Sequence, residues 1–137
     1  MYLSYDEYTN MGGTLDETAF EDFEFEARCQ VDYRTFNRLK NETEYPEELK
    51  RVMYKLIQTA VAKQNSLTAG NSADGTGTAM VASQSNDGVS VTWNVMSATQ
   101  LFDYLKYETT DIITKGLSDT RNSLGQRVLY RGLYANE

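Results

Sequence analysis

The residues best suited to chemistry in this sequence are carboxylates. Asp6, Glu7, Asp16, Glu17, Glu21, Asp22, Glu24 and Glu26 all precede the first basic residue, Arg28. On a helix Glu17 would lie beside Glu21, and Glu21 beside Glu24. Paired carboxylates of this kind can serve as general acid and base in sugar hydrolysis. The chemistry requires environments that push the two pKa values apart, and nothing in the flanking residues marks two of these acids for that. A solvated helix face, with acids favoured in a first turn by the helix dipole, accounts for them more simply.

Other chemistries find less support. There is no histidine, which removes the usual neutral-pH base, the usual Ser and Cys triads and most transition-metal sites. The run Asn71-Ser72-Ala73-Asp74-Gly75-Thr76-Gly77-Thr78 has the glycines of a phosphate loop. It lacks the Lys and the strand-before, helix-after setting of a nucleotide site, and reads as a flexible loop. Asp74 and Asp87 lack the spaced acidic series of a calcium loop. The single cysteine, Cys29, excludes an intramolecular disulfide and a Cys-based zinc site. By itself it reads as a small buried apolar residue. The sequence predicts no catalytic residue, no metal and no cofactor, and a binding or structural role.

A chain of 137 residues is long enough for one domain with one core. No apolar run approaches the ~18–20 residues of a membrane span, and the acidic opening lacks a basic signal region. The expectation is a soluble protein made in a cytoplasm. A net charge of −7 does not suit phosphate neutralisation on DNA or RNA. The charge is uneven, because the stretch from Arg121 onward sets Arg127 and Arg131 against Glu137 alone. Ends of opposite sign could pair within a chain or between copies.

The stretch from Thr14 to Leu39 organises the elements. Thr14 and Glu17 are spaced as a capping box, predicting a helix from about Leu15 to Arg34 or Phe36. Phe20, Phe23, Ala27 and Val31 share one helical face, and Phe25, Cys29, Tyr33 and Phe36 share a nearly opposite one. A helix apolar on two sides must be sandwiched, either within its own chain or against another copy. The second set is the candidate subunit interface.

Around it, Ser4 and Glu7 form another capping box for a short helix from Ser4 to Met11, with Gly12 at its C-terminal cap. Asn37 to Tyr45 reads as a polar connection. Pro46 opens the next helix at its favoured first position. There Leu49, Val52, Met53, Leu56, Ile57, Ala60 and Val61 form one stripe, and the helix is expected to fade by Gln64 to Leu67. Leu67 to Ala79 is small and polar and is expected to be mobile. Val89, Val91, Trp93 and Val95 alternate with polar residues after the turn signal Asn86-Asp87-Gly88. This predicts a hairpin with Met80 to Gln84 as partner strand. Ser97 caps a last helix carrying Leu101, Phe102, Tyr104, Leu105, Ile112 and Ile113, which ends or bends at Gly116. A polar link, Asp119 to Gly125, precedes a basic, aromatic tail. The predicted fold is mainly α, a small bundle of about four helices with an inserted β-hairpin and a flexible loop. It forms a single domain over residues 1–137, with the loop and hairpin at 67–96 and the tail at 119–137.

Several motifs occur in a fixed order. Tyr2-Leu3-Ser4-Tyr5-Asp6-Glu7-Tyr8 is followed by Gly12-Gly13-Thr14-Leu15-Asp16-Glu17-Thr18-Ala19-Phe20-Glu21, then by Ala27-Arg28 running to Thr35-Phe36-Asn37-Arg38-Leu39. Gln84-Ser85-Asn86-Asp87-Gly88-Val89-Ser90-Val91-Thr92-Trp93 and Leu129-Tyr130-Arg131-Gly132-Leu133 come later. Together, over nearly the whole chain, they resemble the head–tail connector, or adaptor, proteins of long-tailed double-stranded DNA bacteriophages. Val128-Leu129 departs mildly from the Leu-Leu usual before Tyr-Arg-Gly.

The resemblance implies a non-enzymatic virion protein of the neck between capsid and tail. Copies would form a ring, commonly dodecameric, beneath the portal protein, extend the DNA channel and meet a tail-side neck or tail terminator protein. It implies that the tail, with Arg127, Leu129, Tyr130, Arg131, Leu133 and Tyr134, docks on the portal, and that the loop and hairpin refold on assembly. Glu21, Asp22, Glu24 and Glu26 would face the channel, where like charge lets packaged DNA pass without specific binding. The expectation includes no membrane partner. Two other readings stay open: an acidic binding module that mimics nucleic acid or acts as an inhibitor, and, last, a carboxylate-based hydrolase.

Overall fold

Ser4 starts the first helix as the sequence predicts. Its Oγ accepts from the Glu7 N–H, and the Glu7 carboxylate accepts from the Ser4 N–H. The resulting helix α1 is Tyr5–Asn10, and Gly12 follows at φ +98, a backbone conformation that glycine adopts without a Cβ penalty. The next helix, α2, is Glu17–Arg34. Its N-cap is Asp16, whose carboxylate accepts from the Ala19 N–H at 2.8 Å, and not the Thr14 of the expected capping box. The competing Asp lies two residues nearer the helix and is at least as good an N-cap.

The computed structural model describes residues 1–72, 83–86, 89–92, 98–135 and 137. Within them the chain is mainly helical: α3 is Glu47–Ser72 and α4 is Ala98–Gly116. Two four-residue strands, β1 (Ser83–Asn86) and β2 (Val89–Thr92), pair antiparallel with Asn86 opposite Val89. Met80, Asp87, Gly88, Trp93, Val95 and Ser97, on which part of the hairpin and the last cap were expected to rest, lie outside the described residues, as does 73–79. Helix α3 does not fade at Gln64 to Leu67 as expected but runs on to Ser72, taking in the first residues of the expected loop. There Ser66 Oγ and Thr68 Oγ1 donate to the carbonyls of Ala62 and Gln64, at 2.9 and 3.0 Å. Small polar residues that bond back in this way can be carried within a helix.

The chain divides into two compact units, residues 1–58 with 109–137, and residues 59–108. The first holds the main core. Leu3, Phe20, Val31, Leu39, Leu49, Met53, Ile57, Ile113, Leu117 and Val128 are fully buried there. The stripe of α3 thus faces inward through Ile57. Tyr8 brings an aromatic cluster to this core, with ring centroids 4.9 Å from Phe20 and 5.7 Å from Tyr54. Its hydroxyl accepts from the Thr14 and Leu15 N–H groups. The ring lies so close to Gly13 that a Cβ there would fall 2.1 Å from it. Lys50 Nζ meets Glu7 Oε1 at 2.6 Å, an ion pair between α3 and α1. In the second unit Leu105 is buried while Tyr104, expected on the apolar face, and Tyr107 are exposed.

Candidate functional site

Two adjoining features of the first unit gather most of the singled-out residues. One is the outward face of α2. Its inward face buries Phe20, Ala27 and Val31. Phe25 is 60% exposed, Tyr33 79% and Phe36 50%, and Cys29 is exposed as well. Cys29 therefore does not take the buried place first read for it, because its face of the helix is turned away from the core. Half of α2 is packed and the opposite half presents aromatic rings to solvent.

The acids predicted to line a channel do not form one set. Glu21, Asp22 and Glu26 are exposed along α2. Glu24 is 1% exposed. It accepts the Tyr2 N–H at 2.8 Å and lies 3.6 Å from Arg28 Nε. Its spacing from Phe20 and Ala27 places it on the inward face, where it fixes the N-terminal segment. Its carboxylate cannot also line a channel while it holds these partners. Tyr2, beside it, donates its hydroxyl to Asp32. Burial first, and then this bond to Asp32, push the Tyr2 phenol well above its ordinary range.

The C-terminal end of α2 is unusual. Thr35 caps it and the Asn37 N–H donates to the Asp32 carbonyl at 2.9 Å, a Schellman-type closure. The position that glycine normally takes in this motif is occupied by Phe36, at φ +54, and Asn37 follows at φ +58. A bulky left-handed residue costs about 1–2 kcal/mol of backbone strain. The closure aims the next residue, Arg38, inward.

Arg38 is the second feature. Its side chain is buried, and its guanidinium gathers the tail. Nη1 donates to the carbonyls of Arg127 and Val128, each at 3.3 Å, and to that of Tyr130. Nη2 donates to the Gly132 carbonyl at 2.7 Å, and a forked ion pair reaches Glu137 at 2.7 and 3.0 Å. The rings of Tyr134, Phe36 and Tyr130 lie over the cation at 4.8, 5.1 and 6.0 Å. The bonds to Arg38 hold the Glu137 carboxyl below the usual carboxylate range, and those to Glu137 raise Arg38 further.

The tail residues expected to dock on a portal are thereby sorted. The rings of Tyr130 and Tyr134 lie 5.1 Å apart, tilted by 52°, around Arg38. Arg127 contributes its backbone to this cluster while its guanidinium meets Asp119 at 3.2 Å on the surface. Leu129 is half-buried, and Arg131 and Leu133 point outward, Leu133 84% exposed.

Sequence reasoning read Asn37 to Tyr45 as a polar link and so missed Arg38 and the buried Leu39. The available signal was Tyr130, Gly132, Tyr134 and Glu137 in one short run, a set able to surround a cation. Among the described residues no three His, Cys, Asp or Glu side chains gather as a metal site, and no helix is long and apolar enough to cross a membrane. The chain matches no known family profile, no curated protein and no solved structure.

Proposed function

We propose that this chain is the subunit of a self-assembled ring, a non-enzymatic connector that joins a phage portal to its tail. The observation that carries the reading is the outward face of α2, where Phe25, Cys29 and Tyr33 are exposed on one side of a helix whose other side is core, with Phe36 exposed just past its C-terminal cap. A row of exposed aromatics on a helix suits a protein–protein contact, and aromatic residues are enriched at such interfaces. The order of motifs along the chain supports the connector among the possible assemblies. In this reading the helices form a small bundle and the strands around 83–92 form an inserted hairpin that gains order on contact with neighbours. The tail, with Leu133 outward, meets the portal. Copies that each carry a net charge of −7 surround a channel through which DNA passes unbound, and the complex belongs to the virion neck.

The test is electron microscopy and mass measurement of the protein alone and mixed with purified portal rings. Rings seated on the portal, with Cys29 protected from maleimide in them, are the expected result. A monomer at every concentration that leaves the portal bare, with Cys29 still reactive, refutes the reading.

A further inference from the structure

At the C-terminal end of α2 lies a groove of about 600 Å³, walled by Tyr33, Phe36, Leu129, Arg34 and Arg131 among others, with one carboxylate, Asp32, that accepts the Tyr2 hydroxyl. Arg34 is anchored at this wall by a 2.9 Å bond from Nη2 to Thr110 Oγ1, and Arg131 is exposed. Phe36 is held there by a left-handed backbone that glycine would adopt more readily. Two exposed aromatic rings, an aliphatic side chain and two guanidinium groups fit a helical segment that bears an aromatic residue flanked by carboxylates. Apolar surface would seat the ring, and each guanidinium would take a carboxylate.

Such a segment stands at the other end of the same helix. Phe25 is exposed there between Glu21, Asp22 and Glu26, all exposed. It lies eight residues before Tyr33, about 12 Å along the axis at 1.5 Å per residue. Both ends belong to one continuous helix, so a chain cannot place its own Phe25 in its own groove. A second copy can. The copies also carry a net charge of −7 each, so they repel unless positive and negative patches meet.

We propose that the groove of one copy receives the acid-flanked Phe25 end of α2 from a neighbouring copy. The inference rests on the assembly reading above and names its contact. Each copy then gives one end and receives at the other, a head-to-tail contact of the kind that closes into rings.

The test uses two charge-reversed forms of the full chain. One carries Arg34→Glu and Arg131→Glu, the other Glu21→Arg and Glu26→Arg. Circular dichroism and thermal melting establish that each is folded. The milder pair Arg131→Glu and Glu26→Arg, both at exposed positions, replaces either form that is not. Analytical ultracentrifugation measures association. Each form alone is expected to associate at least tenfold more weakly than the parent, since like charges then face each other. An equimolar mixture is expected to regain parental association with the two forms alternating. Either form assembling alone as the parent does, or a folded mixture that stays dissociated, overturns this contact while leaving ring assembly standing. A parent that never assembles, alone or on portal, overturns the assembly reading and this contact together.

Discussion

Replacing Arg38 by Met tests how the tail is held. The substitution keeps a long apolar stem and removes every bond of the guanidinium to the carbonyls of Arg127, Val128, Tyr130 and Gly132. Three of these contacts are only part-buried, so their carbonyls can be rehydrated at a net loss of about 0.5–1.5 kcal/mol each. The bond to Val128 is buried, and a carbonyl left unsatisfied there costs about 1–3 kcal/mol. Glu137 is too exposed to add a dependable share. The loss cannot exceed what docks the tail, because an open tail regains water. A loss of about 3 kcal/mol is therefore reasonable, and it raises local opening on the order of a hundredfold. Hydrogen exchange reads this directly. The amides of Arg127, Val128 and Tyr130 donate to Tyr134 Oη, the Thr120 carbonyl and the Arg127 carbonyl, and they should lose protection while α1 and α2 keep theirs. Arg38→Lys should recover little, since one ammonium cannot span four carbonyls with a fixed fork. Unchanged exchange over residues 127–130 in Arg38→Met would refute the reasoning. An equal loss of protection throughout the first unit would refute it too, by making Arg38 a general core residue.

Two further outcomes follow from the same neighbourhood. Phe36→Gly relieves the left-handed strain, about 1–2 kcal/mol, and removes one ring from over Arg38, about 0.5–1 kcal/mol. Thermal stability should hold or rise slightly while self-association falls, and a large drop in melting temperature would show that the ring serves the fold instead. The Glu137 carboxyl has a native pKa below its unfolded 4.5 because it bonds Arg38. Its contribution is therefore present above pH 4.5 and is lost as pH falls through the lower native value. By NMR its titration should lie below 4.5 in the parent and rise toward that value in Arg38→Met, and a carboxyl that titrates alike in both chains would contradict the pairing.

The parts of the structure that could be read in advance are those whose causes are local. The Ser4–Glu7 box, the stripe from Leu49 to Ile57 and the stop at Gly116 each depend on residues within a turn or two of one another. The two-sided character of α2 was legible for the same reason, since spacing alone sends Phe20 and Phe25 to different sides. Glu24 was legible in principle, because it sits four residues after Phe20 and three before Ala27, but its charge outweighed its position. Arg38 was not legible, because most of its partners lie about ninety or more residues further along. Nor does any local rule put a Phe where a Schellman closure favours Gly.

Arg38 and Phe36 link the tail to the groove. Leu129 and Arg131 wall the groove, yet they belong to the segment that Arg38 fastens. Phe36 walls it too, and its ring covers the same guanidinium. The receiving surface therefore exists only while the tail is docked. It follows that Arg38→Met should weaken self-association although Arg38 itself is buried and does not wall the groove. Phe36→Gly should weaken it with the tail still in place. A chain in which the tail opens freely and association is nonetheless undiminished would separate the two features and remove the tail from the contact.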